Sequence, residues 1–322
     1  MRVVILGGGG FLGQKLAKAL ARDGTIAGEK IEALALFDRA APPKPEAPFP
    51  VASIAGDIGR AKDVQQLVAP GTGLVFHLAA VVSAEAEENF DLGMRVNLNG
   101  TRHVLDACRA LAKPARLVFT SSVAVYGGEV TRPVGDETIP NPQSSYGTQK
   151  AAGELLVNDY SRKGFVAGVS LRLPTVVVRP GRPNRAASTF ASSIIREPLQ
   201  SQEAVCPVDR ETRMWIASPR VILRSLLHAA ELEQSALGQN RSLLLPGIVV
   251  SVAEMVESLK RVGGPKAVDR IAWQKDERIA AIVDGWIADF VPQKALRLGF
   301  PRDRSMDEIV QAFVEDDRVL AA

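Results

Sequence analysis

A turn of consecutive glycines near the start of the chain restricts the fold more than any other feature. Residues 3–6 are apolar, residues 7–10 are all glycine, and the apolar residues that follow recur at helical spacing. Glycines at 7, 10 and 13, and equally at 8, 10 and 13, have the spacing with which a strand turns into a helix around a dinucleotide pyrophosphate. Glycine lets the backbone approach the phosphates, and the helix N-terminus attracts their charge. The expected contacts are Gly7, Gly10, Phe11 and Leu12.

The order of apolar runs and helical patterns after this turn predicts one parallel sheet. Five further runs have the character of strands buried on both faces. They lie at 33–37, 51–55, 74–78, 116–120 and 167–173. Helical patterns separate most of them, and the clearest span 62–68, 84–111 and 146–162. This alternation predicts an α/β fold with a Rossmann-type doubly wound parallel sheet.

The regular alternation ends near residue 178, which predicts two domains. Residues 1–178 are expected to form the dinucleotide-binding Rossmann domain. Residues 179–322 begin with a stretch rich in proline and arginine and continue with shorter helices, predicted at 221–232, 252–262 and 306–314. We expect this part to be a smaller substrate-binding lobe, with some segments returning to the Rossmann core.

Composition limits the partners of the chain. It has 322 residues, with 39 lysines and arginines against 36 acidic residues, and this net charge of +3 gives little attraction for nucleic acid or an anionic membrane. The two cysteines, Cys108 and Cys206, have neither the spacing of a disulfide framework nor that of a zinc site. The sequence contains no apolar run of about 18 residues. We expect a cytoplasmic protein with no metal, nucleic-acid or membrane partner.

Carboxylates after the second and third predicted strands are candidates for the adenosine half of the dinucleotide. Asp38 follows the second strand, where a carboxylate can accept hydrogen bonds from the ribose hydroxyls. It would repel the extra phosphate of NADP and therefore favours NAD, although Arg39 could offset part of that repulsion. Asp57 and Ile58, expected to end the third strand, could border the adenine. Helix capping is the alternative role for Asp57.

Tyr146 and Lys150 are four residues apart in a predicted helix, so their side chains lie on one face. An unperturbed tyrosine has a pKa of about 10, and an adjacent ammonium together with an oxidised nicotinamide favours the phenolate. The phenolate can take the proton of a substrate hydroxyl while hydride leaves the same carbon. Ser122 follows the strand predicted at 116–120, at the sheet edge where ligands bind, and can orient the same oxygen. These three are the predicted catalytic residues.

With these residues in place, the sequence resembles the extended short-chain dehydrogenase/reductase family over nearly its whole length. The resemblance also rests on HLAA at 77–80, NLNGT at 97–101 and Pro174. It implies that Ser122, Tyr146 and Lys150 carry the chemistry, that NAD is the cofactor, and that the chain forms a homodimer through the helices 84–111 and 146–162. The positions implied around NAD are Gly7, Gly10, Asp38, Asp57, Ile58, Ala79, Asn97, Tyr146, Lys150 and Pro174.

The substrate is also implied by resemblance. Residues 81–87, 90–97 and 214–220 are similar to those of family members that oxidise the C2 hydroxyl of a four-carbon sugar acid. The main alternative is a nucleotide-sugar epimerase that holds its NAD tightly. Such epimerases carry asparagine where Thr175 stands, and related dehydratases carry an Asp-Glu pair where Val123 and Ala124 stand. A non-catalytic dinucleotide-binding protein is the third alternative, and the presence of both Tyr146 and Lys150 disfavours it.

A sugar-acid substrate needs a cation for its carboxylate, and arginine can donate two parallel hydrogen bonds to that group. The candidates are Arg179, Arg182 and Arg213. Arg213 is favoured because it resembles the family arginine that meets the charged end of the substrate, and a surface ion pair with Glu211 is its alternative role. Ser83 could contact a substrate hydroxyl or cap a loop. The predicted substrate-binding residues are Ser83, Ser122, Tyr146, Arg179 and Arg213.

Overall fold

The computed structural model describes residues 1–181 and 186–317, and the chain divides into two compact units. Unit 1 comprises Met1–Val125, Ser144–Arg172 and Ser225–Leu243. Unit 2 comprises Tyr126–Gln143, Leu173–Arg224 and Leu244–Ala322. Each unit is therefore assembled from segments that are distant in sequence. The division of the chain at residue 178 stays a prediction.

Unit 1 is built on a seven-stranded sheet. The hydrogen-bonded order across it is Ser242–Leu244, Ala167–Leu173, Arg116–Ser122, Thr72–His77, Arg2–Leu6, Ala33–Asp38 and Val51–Ala55. The first strand of the chain pairs in parallel with Ala33–Asp38 on one side and Thr72–His77 on the other. Its apolar residues 3–6 are completely buried, as expected for a central strand covered on both faces. This order confirms the predicted doubly wound α/β fold.

The helices of unit 1 depart from the prediction in one place. They span Phe11–Asp23, Ala61–Leu67, Ser83–Glu88, Phe90–Gly93, Gly100–Arg109 and Ser145–Arg162. The continuous helix predicted at 84–111 is wrong, because Asn89 leaves the helical conformation and its side chain accepts a hydrogen bond from Leu92 N, which starts a new helix. Met94–Asn99 then forms one stretch of π-helix. Unit 1 also has 3-10 helices at Val123–Val125 and Gln234–Leu237, and a hairpin of Thr25–Ile26 with Glu29–Lys30.

Unit 2 combines small sheets with short helices. Its three-stranded sheet has the order Thr175–Val176, Arg213–Ala217 and Ile248–Ser251. Two further pairs join Ala204–Cys206 to Ile271–Trp273, and Val134–Gly135 to Phe290–Val291. The helices span Thr189–Leu199, Val252–Gly263, Pro265–Val268, Glu277–Asp284, Gln293–Arg297 and Met306–Asp316. The helix predicted at 221–232 is Pro219–Glu231, which begins in unit 2 and ends in unit 1.

Each unit has its own apolar core. In unit 1, Leu6 and Phe119 from the sheet pack with Leu105 and Val157 from the helices. The core of unit 2 is formed by a separate set of buried residues, among them Ile216. Burying such side chains is the main favourable contribution to folding. Among residues 1–181 and 186–317, no helix has both the length and the apolar character needed to cross a membrane.

Candidate active site

The glycine turn of unit 1 has no room for side chains at two positions. Gly7 has φ +86°, a conformation that favours glycine, and a Cβ atom there would lie 2.8 Å from Ala79 N. A Cβ atom on Gly13 would lie 2.2 Å from Gly7 O. The turn therefore brings the ends of the strands Arg2–Leu6 and Thr72–His77 and the start of the first helix within backbone contact. This close approach explains why both positions require glycine and places Ala79 at the turn.

The helix that follows the turn begins at Phe11, with Gly10 at its N-cap position. Gly10 has no side chain that could accept hydrogen bonds from the amides of the first turn, so these amides can bind an anion. Gly9 and Gly10 are exposed, and Phe11 and Leu12 are half-buried. The turn thus fits the pyrophosphate of a dinucleotide, with backbone donors and no side chain in the way.

Asp38 ends the strand Ala33–Asp38 beside this turn. Its carboxylate accepts hydrogen bonds from Gly9 N at 2.9 Å and from Arg39 N at 2.7 Å. The carboxylate predicted to bind the ribose is therefore held next to the glycine turn by the backbone N–H of Gly9. Its position at the end of the strand neighbouring Arg2–Leu6 fits the ribose of a dinucleotide.

Asp57 and Ile58 lie beyond the strand Val51–Ala55, not at its end as predicted. The Asp57 carboxylate forms an ion pair with Arg95 and accepts a hydrogen bond from Gly59 N at 2.8 Å. Burial raises the pKa of Asp57, but the hydrogen bonds from Arg95 and Gly59 outweigh that effect and lower the pKa below its ordinary value. Asp57 does not cap the helix Ala61–Leu67, whose N-cap residue is Arg60. Ile58 is buried in the core of unit 1.

Tyr146 and Lys150 lie one turn apart in the helix Ser145–Arg162, as predicted. The helix begins after Ser144, whose hydroxyl accepts a hydrogen bond from Gly147 N at 3.2 Å. Lys150 Nζ lies 5.7 Å from the centre of the Tyr146 ring. It donates a hydrogen bond to Thr120 O at 2.7 Å. That bond ties the Tyr146 helix to the strand that ends at Ser122.

Ser122 is the last residue of the strand Arg116–Ser122, where the prediction had placed it just beyond the strand. Its side-chain oxygen accepts a hydrogen bond from Ala124 N at 3.1 Å. A hydroxyl that accepts one hydrogen bond still has its own proton to donate. Ser122 and Tyr146 are both half-buried, whereas Lys150 is buried. The site thus has a serine and a tyrosine that solvent or a substrate can reach, with a lysine behind them.

Burial controls the charge of Lys150. It lowers the pKa of this ammonium to about 7, while the carboxylate of Glu154 acts in the opposite direction. Glu154 is itself held by Arg172, with Nη2 to Oε2 at 2.6 Å and Nε to Oε1 at 2.9 Å. The two side chains are 3% and 5% exposed. A lysine of this kind can exchange a proton near neutral pH, which suits a group that works with a tyrosine in proton transfer.

His77 is a second buried base near this lysine, and the structure assigns it a neutral, structural role. Its Nε2 lies 2.9 Å from Thr101 Oγ1, and the Thr101 hydroxyl donates to Asn97 O at 2.6 Å, so Nε2 must be the donor. Burial and, to a smaller extent, the charge of Lys150 together lower the pKa of His77 to about 3. The imidazole therefore stays neutral at physiological pH.

Asn97 was predicted to line the cofactor, but its side chain is engaged elsewhere. The amide oxygen accepts from Val81 N at 2.8 Å, and the amide nitrogen donates to Val81 O at 3.1 Å and to Gln149 Oε1 at 2.8 Å. Asn97 is 2% exposed. It connects the segment after the strand Thr72–His77 to the helix that carries Tyr146 and Lys150, so it supports the site from behind.

Several residues of this site had no assigned role in the sequence analysis. The role of Thr120 could not be predicted from a sequence pattern, because this residue binds Lys150 through its backbone oxygen. The ion pair of Glu154 and Arg172 could have been anticipated in part, because an arginine inside the apolar run 167–173 needs a buried anion. Glu154 lies one helical turn after Lys150, the spacing that would have suggested their interaction.

The remaining predicted residues have varied surroundings. Ser83 is the first residue of the helix Ser83–Glu88 but not its N-cap, which is Val82. Pro174 is buried directly after the strand Ala167–Leu173. In unit 2, Arg179 donates from Nε to Val176 O at 3.0 Å and from Nη2 to Ser188 Oγ at 3.3 Å. Arg182 lies outside the described residues.

Arg213 is the most exposed of the predicted arginines that the structure describes. It begins the strand Arg213–Ala217, and 58% of its side chain is exposed. Its Nη2 lies 3.7 Å from Asp289 Oδ1, which is a loose ion pair on the surface of unit 2. The guanidinium can therefore exchange this partner for another carboxylate at little cost.

Comparisons with known proteins show the family to which the chain belongs. A family model described as the NAD dependent epimerase/dehydratase family matches residues 3–218. D-erythronate dehydrogenase of Cupriavidus necator is 49% identical over 320 residues, 98% of each chain. The enzyme of the same name from Haemophilus influenzae is 42% identical, over 98% of this chain and 100% of its own. The crystal structure of the nucleoside-diphosphate-sugar epimerase from Agrobacterium tumefaciens matches with a TM-score of 0.94 and 42% identity, over 99% of this chain and 94% of that one.

Proposed function

Because the chain belongs to the NAD-dependent epimerase/dehydratase family, we propose that it oxidises the C2 hydroxyl of D-erythronate, a four-carbon sugar acid, to the 2-oxo acid. The protein is an NAD-dependent oxidoreductase. The identity of the substrate is supported by the two full-length relatives named D-erythronate dehydrogenase, from Cupriavidus necator and Haemophilus influenzae. It is also supported by Thr175, Val123 and Ala124, which stand where nucleotide-sugar epimerases and dehydratases carry other residues.

The placement of Lys150 next to Tyr146 is the observation that carries the proposed chemistry. A protonated Lys150 stabilises the phenolate of Tyr146 through its positive charge. The phenolate accepts the proton of the C2 hydroxyl, and Ser122 donates a hydrogen bond to the same oxygen. Thr120 O fixes the ammonium at 2.7 Å, so the charge does not have to be positioned anew in each reaction.

The chemistry that NAD would supply when bound is an acceptor for the hydride of C2. We assign the pyrophosphate to the glycine turn and the start of the first helix, and the ribose to Asp38. Asp57 and Ile58 are proposed to border the adenine, and Ala79 and Pro174 to line the remaining part of the dinucleotide. Asn97 is assigned a supporting role, since its amide is used by Val81 and Gln149. The pyrophosphate residues are Gly7, Gly10, Phe11 and Leu12.

Arg213 is proposed to bind the substrate carboxylate. Its exposed guanidinium forms a loose ion pair with Asp289, at 3.7 Å, whereas that of Arg179 already donates to Val176 O at 3.0 Å. Arginine can donate two parallel hydrogen bonds to a carboxylate, which fixes the orientation of a small acid. Ser83 is proposed as a contact of a substrate hydroxyl, and Arg179 as a secondary partner.

Nucleotide-sugar epimerisation is the alternative, and the similarity to the Agrobacterium tumefaciens epimerase structure favours it. The two functions differ in cofactor turnover. A dehydrogenase converts NAD to NADH in proportion to the substrate consumed, whereas an epimerase interconverts two sugars without net reduction.

The test is a panel of four- and five-carbon aldonates and several UDP-sugars, each added to the purified protein with NAD or NADP. Absorbance of the reduced cofactor and chromatography of the sugars are followed together. We expect NADH to form with D-erythronate and no UDP-sugar to be converted. Conversion of a UDP-sugar, with no reduction of NAD by any acid, would establish the alternative.

A homodimer and a cytoplasmic location are further proposals. Leu155 on the helix Ser145–Arg162 is 73% exposed, and Phe90 at the start of the helix Phe90–Gly93 is 58% exposed. Contiguous apolar patches are typical of interaction surfaces, so the proposal requires that these two side chains belong to one interface. Light scattering of the purified chain should give twice the mass of 34.5 kDa, and Leu155→Glu should reduce it to the mass of one chain. Cys108 and Cys206 are buried free thiols, as in proteins of reducing compartments.

A further inference from the structure

The turn 56–60 of unit 1 follows the strand Val51–Ala55. Gly56 N at its start donates a hydrogen bond to Asp38 O at 2.9 Å. The turn therefore begins in backbone contact with the residue to which the ribose is assigned, and Asp57 is the next residue along it. This contact supports the proposed position of the adenine beside Asp57, because in a dinucleotide the adenine is joined directly to that ribose.

Backbone and side-chain contacts hold Asp57 in this turn. Asp57 N donates to Asp63 Oδ2 at 3.0 Å, and Arg60 N donates to Asp57 O at 2.9 Å. Gly59 N donates to one oxygen of the Asp57 carboxylate, Oδ1, at 2.8 Å. The side chain of Asp57 is 29% exposed, so a ligand can reach the carboxylate.

Arg95 fixes the second oxygen of that carboxylate. Its Nη1 donates to Asp57 Oδ2, while Arg60 Nε lies at ion-pair distance from the same oxygen, at 4.0 Å. The donors Gly59 N and Arg95 Nη1 together set the rotation of the carboxylate, because each oxygen has its own donor. An ionised carboxylate has about four lone-pair sites, so these two hydrogen bonds leave it able to accept another from a ligand.

Gly59 provides the space in which the Arg95 side chain lies. A Cβ atom on Gly59 would lie 2.4 Å from Arg95 Nη1, 3.0 Å from Arg95 Cγ and 3.1 Å from Asp57 Oδ1. The arginine thus extends across the backbone of this glycine, from Cγ to the guanidinium. A side chain at position 59 would push the guanidinium away from Asp57, because its β carbon would take that space.

The backbone of Arg95 is placed by the π-helix Met94–Asn99. Gly100 N donates to Arg95 O, five residues back, which is the hydrogen bond of a π turn. The helix that follows also holds the turn, since His103 Nδ1 donates to Ile58 O at 3.1 Å. A Cβ atom on Gly100 would lie 3.1 Å from Ile58 Cγ2. Both the turn and the arginine that crosses it are therefore fixed by unit 1 itself.

We propose that Arg95 is a positioning residue for base recognition: it fixes the Asp57 carboxylate in the orientation that accepts a hydrogen bond from the amino group of adenine. The carboxylate then does not have to be ordered when the dinucleotide binds, which strengthens the recognition of that amino group. The inference rests on the proposed placement of the adenine beside Asp57. It adds a residue that determines which base is preferred.

The test compares NAD with nicotinamide hypoxanthine dinucleotide, in which a carbonyl oxygen replaces the amino group of adenine and cannot donate to Asp57. Isothermal titration calorimetry of the full chain gives the dissociation constants of both dinucleotides without any turnover. We expect the unsubstituted protein to bind NAD about tenfold more tightly, because the analogue lacks a hydrogen bond to a charged group. Arg95→Met should reduce this ratio to about threefold or less, since the carboxylate is no longer held. Gly59→Ala should also reduce the ratio, although it keeps both charged residues.

Arg60→Met is the matched control. It removes the same charge near Asp57, but Arg60 Nε lies 4.0 Å from Oδ2, too far for a hydrogen bond. It should affect the binding of both dinucleotides equally and leave their ratio unchanged. Thermal unfolding of each variant verifies that it is folded. The inference is overturned if folded Arg95→Met or folded Gly59→Ala keeps the full ratio, or if Arg60→Met lowers the ratio as much as Arg95→Met.

Asp57→Ala separates this inference from the proposed position of the adenine. The substitution removes the acceptor itself and should abolish the preference for NAD. If Asp57→Ala keeps the full ratio, or if the unsubstituted protein binds both dinucleotides equally, the proposed position of the adenine and the inference both fail. If Asp57→Ala loses the ratio while Arg95→Met keeps it, the position of the adenine stands and only the role of Arg95 is overturned.

Discussion

Lys150 and Thr120 are joined by a buried hydrogen bond, from the lysine Nζ to the threonine backbone oxygen at 2.7 Å. The bond connects the helix of Tyr146 to the strand that ends at Ser122. It holds an ammonium in a place that is only 2% exposed, where water cannot compensate for the charge. Stability and chemistry therefore depend on the protonation state of the same side chain.

The first prediction concerns the stability of the protein as pH changes. Burial lowers the pKa of Lys150 from 10.5 to about 7. Between these values the unfolded chain holds a proton that the folded protein has released, so this residue makes stability rise with pH from about 7 to 10.5. Lys150→Met should remove this dependence. The unfolding free energy of Lys150→Met should exceed that of the unsubstituted protein most near pH 6, and this difference should shrink toward pH 10. The lowering of the Lys150 pKa from 10.5 to about 7 corresponds to a cost of about 5 kcal/mol for burying the charged lysine.

Urea unfolding at several pH values measures this effect. Lys163→Met, at an exposed lysine just after the same helix, is the control and should follow the pH dependence of the unsubstituted protein. An equal stability difference for Lys150→Met at pH 6 and pH 10 would contradict the interpretation.

A second prediction concerns the buried ion pair of Glu154 and Arg172. Glu154→Gln leaves the Arg172 charge buried without its anion and should lower the unfolding free energy by about 3–5 kcal/mol. Glu154→Leu combined with Arg172→Met removes both charges and should cost much less. Asp159→Asn is the control, since it breaks an exposed pair with Arg162 that contributes about 0–1 kcal/mol. If the double substitution costs as much as Glu154→Gln, the loss comes from packing and not from the unmatched charge.

A third prediction separates two glycines of the turn. Gly13→Ala would place Cβ 2.2 Å from Gly7 O, so it should destabilise the fold itself. Gly10→Ala would place Cβ 3.4 Å from that atom, at an ordinary φ of −69°, so the free protein should fold normally. It should nevertheless bind NAD more weakly, because the methyl group intrudes where the pyrophosphate approaches. Thermal unfolding and NAD titration test both variants, and normal NAD affinity of Gly10→Ala would exclude this position from the phosphate site.

The fold could be predicted from sequence because its signals are local. An apolar strand, a glycine turn and a helix follow one another within residues 1–23, and the later apolar strands also alternate with helical patterns. The shared helix face of Tyr146 and Lys150 was also predictable, because the two residues are four positions apart in one helix. The helix break at Asn89 could not be predicted from the apolar periodicity, because a side chain that caps the next helix leaves the spacing of apolar residues unchanged.

The support behind the site could not be predicted in the same way. Asn97 bonds Val81 and Gln149, which are 16 and 52 residues away in sequence. Such hydrogen bonds form only when segments that are distant in sequence pack together, so no local sequence pattern predicts them. Arg213 poses the same difficulty, because an exposed arginine in a strand fits a surface ion pair as well as a carboxylate site.

A fourth prediction therefore addresses Arg213. Arg213→Ala should raise KM for the sugar acid about tenfold or more and leave the affinity for NAD unchanged, since it removes a charge-assisted contact with the carboxylate alone. Arg224→Ala, at an exposed arginine of the helix Pro219–Glu231, is the matched control and should have no effect on either constant. Unchanged KM for the acid in Arg213→Ala would remove this residue from the substrate site.

The most direct test of the account is the rate of NADH formation by Tyr146→Phe with D-erythronate. Tyr160→Phe is its control, because Tyr160 lies in the same helix and its hydroxyl donates to Asp106 at 2.6 Å, outside the proposed site. Loss of the Tyr146 hydroxyl should lower kcat by roughly 10²- to 10⁴-fold while NAD still binds, because the proton acceptor is gone. Tyr160→Phe should keep its rate. If Tyr146→Phe oxidised the sugar acid at the rate of the unsubstituted enzyme, proton transfer by this residue would be contradicted.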